Sequence, residues 1–429
     1  MKKAIISLLV AGAVIAANAQ DKALLETLVK KGMLTQQEAA QIAKDSVAVT
    51  PATKSTKSIK IFGGGQGWYS WGKNSLKAGT AGTGGIGSLD QQSGFTLRYV
   101  KLGIEADVGG GWSAEVVTDF GTEGASKNYL DKVVASKKID LDYLNGTLQL
   151  GLRKVNMGYE QNMDDFGQYA VERSVATYFF TRYEGKNFGS RTVGVFWDGN
   201  ITQVDGLYYG AAVTSGVSEG GVENFITNAQ DSSALSFWVN AGYKNVADIK
   251  GETLSYDLGI NFGYAPQGST GPTDPRFPAY TQKGSVWGIN PYATINWRGL
   301  TLIGEFFLQQ VEDYTPGRGG VGRTPMGANF TAAYKMDIGE WGAIEPVFRA
   351  SYVTTNGMGL KSACTGVDPE EQDYNRLNQA MTFYGGVNWY ATTAVKTSLG
   401  YEFGYYDQGD AVVERVYGNT VWAQVQVLF

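Results

Sequence analysis

The sequence predicts an all-β fold: a 16-stranded antiparallel transmembrane β-barrel with a short N-terminal helical periplasmic segment. Three observations point there. First, many short segments alternate apolar and polar residues. In TVWAQVQVLF, Val421, Ala423, Val425, Val427 and Phe429 share one face, and Trp422, Gln424 and Gln426 share the other. Second, the connections between such segments alternate long and short. Third, Gly (58), Tyr (25) and Trp (10) are abundant and Pro (10) is scarce among 429 residues, as suits short strands with aromatic girdles. A soluble sandwich explains the alternation, but it has no reason to sort its loops by length.

In chain order, residues 1–19 read as a signal peptide. MKK is a positive start, AIISLLVAGAVIAA an apolar core and ANA a small-residue cleavage site before Gln20. A membrane anchor is the alternative, disfavoured by the shortness of the run and by the small residues that follow it. No cysteine stands at the cleavage site to carry a lipid. Beyond it no apolar stretch approaches the roughly 18 residues of a spanning helix. Residues 20–57 are expected to form a periplasmic helical segment and linker. Leu24, Leu25, Leu28 and Val29 make an apolar stripe, Gly32 a stop, and Thr35 with Glu38 a capping box. VAVTPATKSTKS then reads as a linker.

Residues 58–429 are assigned to the barrel. Strands are expected near 59–72, 95–108, 111–120, 136–144, 147–154, 190–198, 205–215, 234–244, 253–265, 284–297, 299–312, 326–337, 341–354, 379–391, 394–407 and 419–429. Short connections include Gly109–Gly110, Asn145–Gly146, Arg298–Gly299 and Asp337–Glu340. Long ones fall at 73–94, 121–135, 155–189, 215–233, 266–283, 313–325, 355–378 and 408–418. With both chain ends periplasmic, all eight long connections lie outside.

Composition excludes much chemistry. Histidine is absent, which removes Ser-His and Cys-His nucleophile pairs and His-ligated metals. No motif argues for a carboxylate enzyme, a cofactor or a metal. The one cysteine, Cys364, cannot form an intramolecular disulfide. A net charge of -5 gives no case for nucleic-acid binding. GGGQG at 63–67 lacks the Lys-Ser or Lys-Thr of a phosphate loop and lies in a strand pattern.

Strand parity puts Lys101, Glu105, Asp107, Glu115, Asp119, Arg153, Asp257, Glu305, Arg349, Lys396 and Glu402 opposite the apolar face. Each either lines a wet lumen or pairs with a neighbour to hold register. Tyr99, Trp238 and Trp422 fall on that face too, where they could offer stacking surfaces to sugar rings.

Several stretches, in order, resemble the phosphate-selective porin O/P family of the outer membrane. They are GFTLRYVKLGIEADVGGGWSAEVVTDF (94–120), GTLQLGLRKVNMGYE (146–160), YAVERSVATYFF (169–180), RTVGVFWDG (191–199) and YGGVNWYATTAVKTSLGYEF (384–403). The resemblance implies a homotrimeric channel in the outer membrane of a Gram-negative-type bacterium. It also implies that loop 155–189 folds inward as a constriction, carrying Glu160, Asp164, Asp165 and Glu172 with Arg173, Arg182 and Lys186. A solvated outer loop is the alternative. Lys101 and Arg153, beside this loop, rank first as pore-lining bases, with Glu105 and Arg349 also on the wall. Terminal Phe429 is the kind of residue the barrel-assembly machinery reads as a signal. The family's early strand carries Arg-Arg-x-Arg; here it is Arg98, Tyr99, Val100, Lys101, which argues against phosphate selectivity. The expectation is a weakly selective, water-filled channel for small hydrophilic solutes and ions. Alternatives are a phosphate- or anion-selective porin and a structural or adhesive envelope barrel.

Overall fold

The structure is a computed structural model. It describes residues 57–73, 91–121, 129–182, 188–189, 191–215, 235–270, 283–315, 319–356, 379–407 and 416–429. Segments 1–19 and 20–56, most of the long loops and Cys364 lie outside the described residues.

Sixteen wall strands form one antiparallel sheet closed on itself. They are β1 (Ser58–Lys73), β2 (Gln91–Gly109), β3 (Trp112–Asp119), β4 (Leu130–Asp140), β5 (Leu144–Lys154), β6 (Arg191–Ile201), β7 (Leu207–Thr214) and β8 (Ser236–Ile249). Then come β9 (Glu252–Thr270), β10 (Lys283–Trp297), β11 (Leu300–Thr315), β12, β13 (Ala343–Thr354), β14 (Gln379–Tyr390), β15 (Val395–Asp407) and β16 (Val416–Leu428). Strand β12 runs in three pieces between β11 and β13: Gly319–Arg323, Met326–Tyr334 and Met336–Asp337. Consecutive strands pair, and β16 returns to β1 from Gly64 opposite Leu428 to Lys73 opposite Asn419. Closure leaves no open edge, so the ladders run around the whole circuit.

The outward face is apolar. Leu258, Ile260, Phe262 and Tyr264 on β9 are exposed, as are Leu399 and Tyr401 on β15 and Val421, Val425 and Val427 on β16. The alternate positions Asn261, Ser398, Glu402, Gln424 and Gln426 are buried in the interior. A polar inside under an apolar outside is the arrangement a lipid-embedded barrel requires. At the short-turn end, Lys250–Gly251 and Arg298–Gly299 have positive φ at both central positions, the two-residue turn whose twist matches antiparallel strands.

The structure corrects two expected connections. Asn145–Gly146 is not a turn: Asn145 pairs with Asp140 and Gly146 with Ile139, and the chain reverses at 141–143. Strand β4 therefore spans Leu130–Asp140 rather than 136–144. This register turns Leu144, Leu148 and Leu150 to the outer face, where all three are exposed. The loop expected at 313–325 is largely strand, because Val311–Thr315 pair with Gly319–Arg323.

Candidate functional site

The segment after β5 turns into the lumen. Gly158, at a φ of 85°, allows the bend. Two helices follow, α1 (Tyr159–Asn162) and α2 (Val175–Arg182). The wall holds the segment by its backbone. Glu305 on β11 accepts the N–H groups of Tyr159 at 2.7 Å and Glu160 at 3.2 Å. Asn388 on β14 donates to the Tyr169 carbonyl at 2.9 Å. Lys396 on β15 donates to the carbonyls of Phe166 and Gln168 at 3.2 and 3.0 Å, and Gln426 on β16 donates to Phe166 at 3.0 Å. Apolar packing adds to this. Val175, Ala176, Phe179 and Phe180 of α2 bury against Phe307, Val353, Ala380 and Tyr406 of the wall, with the Phe180 and Phe307 rings stacked at 4.9 Å.

Two charge clusters flank the segment. In the first, Asp165 sits among four cations. It pairs with Lys101 and Arg173, with Lys154 at 3.2 Å and with Arg191 at 3.5 Å. Asp131 shares two of them, Lys101 at 2.9 Å and Arg191. Burial alone would raise Asp165, but Lys154, Lys101, Arg173 and Arg191 outweigh it and hold the carboxyl well below its usual range. In the second cluster Arg349 bridges Glu160 at 3.1 Å and Glu402 at 2.7 Å, while Asn329 donates to Glu305 at 2.8 Å. Burial pushes Glu160 up; Arg349 and hydrogen bonds from Ser174 and Thr177 reverse that and leave it below its usual range. Glu172 links the clusters: its carboxylate accepts the Arg173 N–H at 2.9 Å and pairs with Arg98 at 2.9 Å, while its carbonyl accepts from Arg349 at 2.5 Å.

The expected site residues thus separate into groups. Lys101, Asp165 and Arg173 meet in the first cluster; Glu160 and Arg349 meet in the second. Arg153 stands on the wall, paired with Asp198 and 4.8 Å above the Phe196 ring. Asp164 is exposed and accepts the Phe166 N–H at 2.9 Å. Glu105 is exposed nearer the short-turn end and joins neither cluster. The Arg182 side chain and Lys186 lie outside the described residues. Tyr99, Trp238 and Trp422, expected to offer stacking faces, are covered by the loop and are 3%, 2% and 1% exposed. Trp238 lies 4.9 Å from Phe188, Tyr99 takes a hydrogen bond from Arg173 at 3.0 Å, and Trp422 packs with Trp68, Ala170 and Val171.

Sequence reasoning missed Arg98, Asp131, Lys154 and Arg191. Arg98 and Asp131 enter through β-bulges. Gln66 and Gly67 pair with Tyr99 and Leu97, skipping Arg98; Val117 and Thr118 pair with Lys132 and Leu130, skipping Asp131. Each bulge turns one extra charged side chain inward. The signal is a slip in phase. Outward residues in β2 are Phe95 and Leu97, then Leu102 and Ile104.

Beside the first cluster lies a cavity of about 720 Å³. Its lining includes five bases, Lys101, Lys132, Arg153, Lys154 and Arg191. Against them stand five acids, Glu115, Asp131, Asp164, Asp165 and Asp198.

No family model matches the sequence, and no curated protein is similar to it. Solved structures are. The chain is similar to the anion-selective porin from Comamonas acidovorans, at 12% identity and a TM-score of 0.53, over 87% of this chain and 99% of that one. It is similar to OprB of Pseudomonas putida in a high-pH structure, at 12% identity and a TM-score of 0.57, over 86% and 94%. It is also similar to the outer membrane channel DcaP of Acinetobacter baumannii, at 10% identity and a TM-score of 0.54, over 88% and 99%. The chain has the outer-membrane porin fold.

Proposed function

We propose that the chain is an outer-membrane porin: a water-filled channel through which small hydrophilic solutes and ions diffuse with weak selectivity. One observation carries this reading. A loop clamped across a closed barrel borders a cavity whose lining sets five bases against five acids. Opposed charges across a narrow passage order water there and favour neither sign strongly, because each screens the other. No catalytic residue, metal or cofactor is assigned. A planar-bilayer recording of the purified protein tests the proposal. The expected result is discrete conductance steps with a reversal potential near zero across a salt gradient. A folded barrel that passes no current would instead support a structural or adhesive role.

A second reading, anion or phosphate selectivity, is favoured by the first cluster. There Lys101, Lys154, Arg173 and Arg191 outnumber Asp131 and Asp165 by two charges. Against it, Arg173 and Arg191 are 1% and 4% exposed, so two of the four cations present almost no surface to a passing anion. Phosphate titrated against chloride current decides, since tight phosphate binding would block it. Assembly as a homotrimer, the constriction role of loop 155–189 and export by residues 1–19 belong to the same proposal. Chemical cross-linking of native membranes checks the first of these.

A further inference from the structure

The short-turn end of the lumen is divided by chemistry. Toward β2–β6 lies the charged cavity, with ten Asp, Glu, Lys and Arg side chains in its lining. Toward β5–β10 lies a second cavity of about 980 Å³, whose lining holds three, Asp205, Lys244 and Asp257. The rest of its inward polar lining is amide and hydroxyl. Register places these groups in facing pairs: Asn145 with Asn200, Asn296 with Ser255, and Thr294 with Asp257. The side chains of Asn145, Asn200 and Ser255 make no hydrogen bond among the described residues. Tyr159 of the inward loop supplies an aromatic ring, braced by Tyr292 at 4.8 Å. The Tyr208 hydroxyl donates to Asp257 at 2.6 Å and lies 2.5 Å from the Tyr292 hydroxyl.

We propose that this second cavity is a binding site for neutral saccharides. The proposal rests on the channel reading only for the route by which the sugar arrives. Each sugar hydroxyl both donates and accepts, and so does each amide of Asn145, Asn200 and Asn296. The C–H face of a pyranose ring matches the Tyr159 ring. Anions gain little here, since the lining offers one lysine against two aspartates. The two cavities give the lumen a charged side and a neutral side.

The test titrates the folded full-length protein in detergent with maltose, using succinate and inorganic phosphate as anionic probes. Binding is read by saturation-transfer NMR and by block of single-channel current. Asn200→Leu with Asn296→Leu removes two hydrogen-bonding side chains and should weaken maltose binding about tenfold, with potassium chloride conductance unchanged. Should the double variant fail to fold, Asn200→Ala is read in the same way. Equal affinity in the variant, no maltose signal from the wild-type barrel, or competition by phosphate at matched concentration overturns the site. Conductance without a saccharide signal removes the site and leaves the channel. A saccharide signal without conductance upholds the site and removes the channel.

Discussion

Asp165→Asn tests what holds the inward loop. The carboxylate faces Lys101, Lys154, Arg173 and Arg191; Asp131 pairs with two of these cations as well, and Glu172 acts on Arg173. Neutralising Asp165 makes the cluster more positive by one unit. Removing one partner from a buried ion pair costs about 3–5 kcal/mol. At 1.4 kcal/mol per factor of ten, that shifts the loop's local opening equilibrium about a hundredfold or more. The strand ladders do not depend on Asp165, so the barrel should still fold and show its heat-dependent gel shift. Two changes are expected in a bilayer: a reversal potential moved toward anion selectivity, and noisier current as the loop leaves the wall. A folded variant with wild-type selectivity and noise would refute the argument that this carboxylate pins the inward loop.

Other outcomes follow from the same geometry. Glu160 and Asp165 both sit below their ordinary values of 4.5 and 3.8, so the stability they lend the loop is complete above those values. It is lost only as pH falls through the lower folded values. The share these two carboxylates contribute should therefore hold from neutral pH down to about 4.5 and weaken only below it, read as unstable single-channel current in acid; a transition near neutrality would contradict it. Arg349→Leu removes the cation that Glu160 and Glu402 share in the second cluster and should loosen α2, read as faster protease cleavage within 155–189; unchanged cleavage counts against the clamp. Tyr99→Arg would set a further cation against Arg173, which donates to the Tyr99 hydroxyl at 3.0 Å, and should lower the yield of folded barrel; an equal yield would show that the lumen tolerates the charge. Deleting Phe429, whose backbone exchanges two 3.1 Å hydrogen bonds with Gly63, should reduce membrane insertion without reducing export. Equal folded yield would remove the signal role.

The barrel was legible in the sequence because its signal is repeated. Period-two alternation in β9 or β16 needs no tertiary information, since lipid on one side and water on the other impose it directly. The site was legible only where alternation stayed in phase: Lys101, Arg153 and Arg349 were readable as inward. Arg98 and Asp131 were not, because a bulge moves a residue between faces without changing its neighbours' identity. Asp165 could be named but not placed, since a loop's contacts depend on which strands it crosses. The aromatic residues Tyr99, Trp238 and Trp422 were placed on the correct face and given the wrong surroundings. Parity says where a side chain points and nothing about what covers it.

The two bulges have a consequence for how such a channel can vary. Leu97 and Tyr99 already pair with Gly67 and Gln66 as if Arg98 were absent, and Leu130 and Lys132 already pair with Thr118 and Val117 as if Asp131 were absent. Deleting either residue would remove one lumenal charge, positive or negative, and leave the strands on both sides in register. Most single-residue deletions in a strand turn its lipid face inward. At these two positions a deletion removes a lumenal charge and its ion pairs, Arg98 with Glu172 or Asp131 with Lys101 and Arg191, without reversing a strand, so the ionic character of the interior can change one unit at a time while the surface that meets the membrane stays constant.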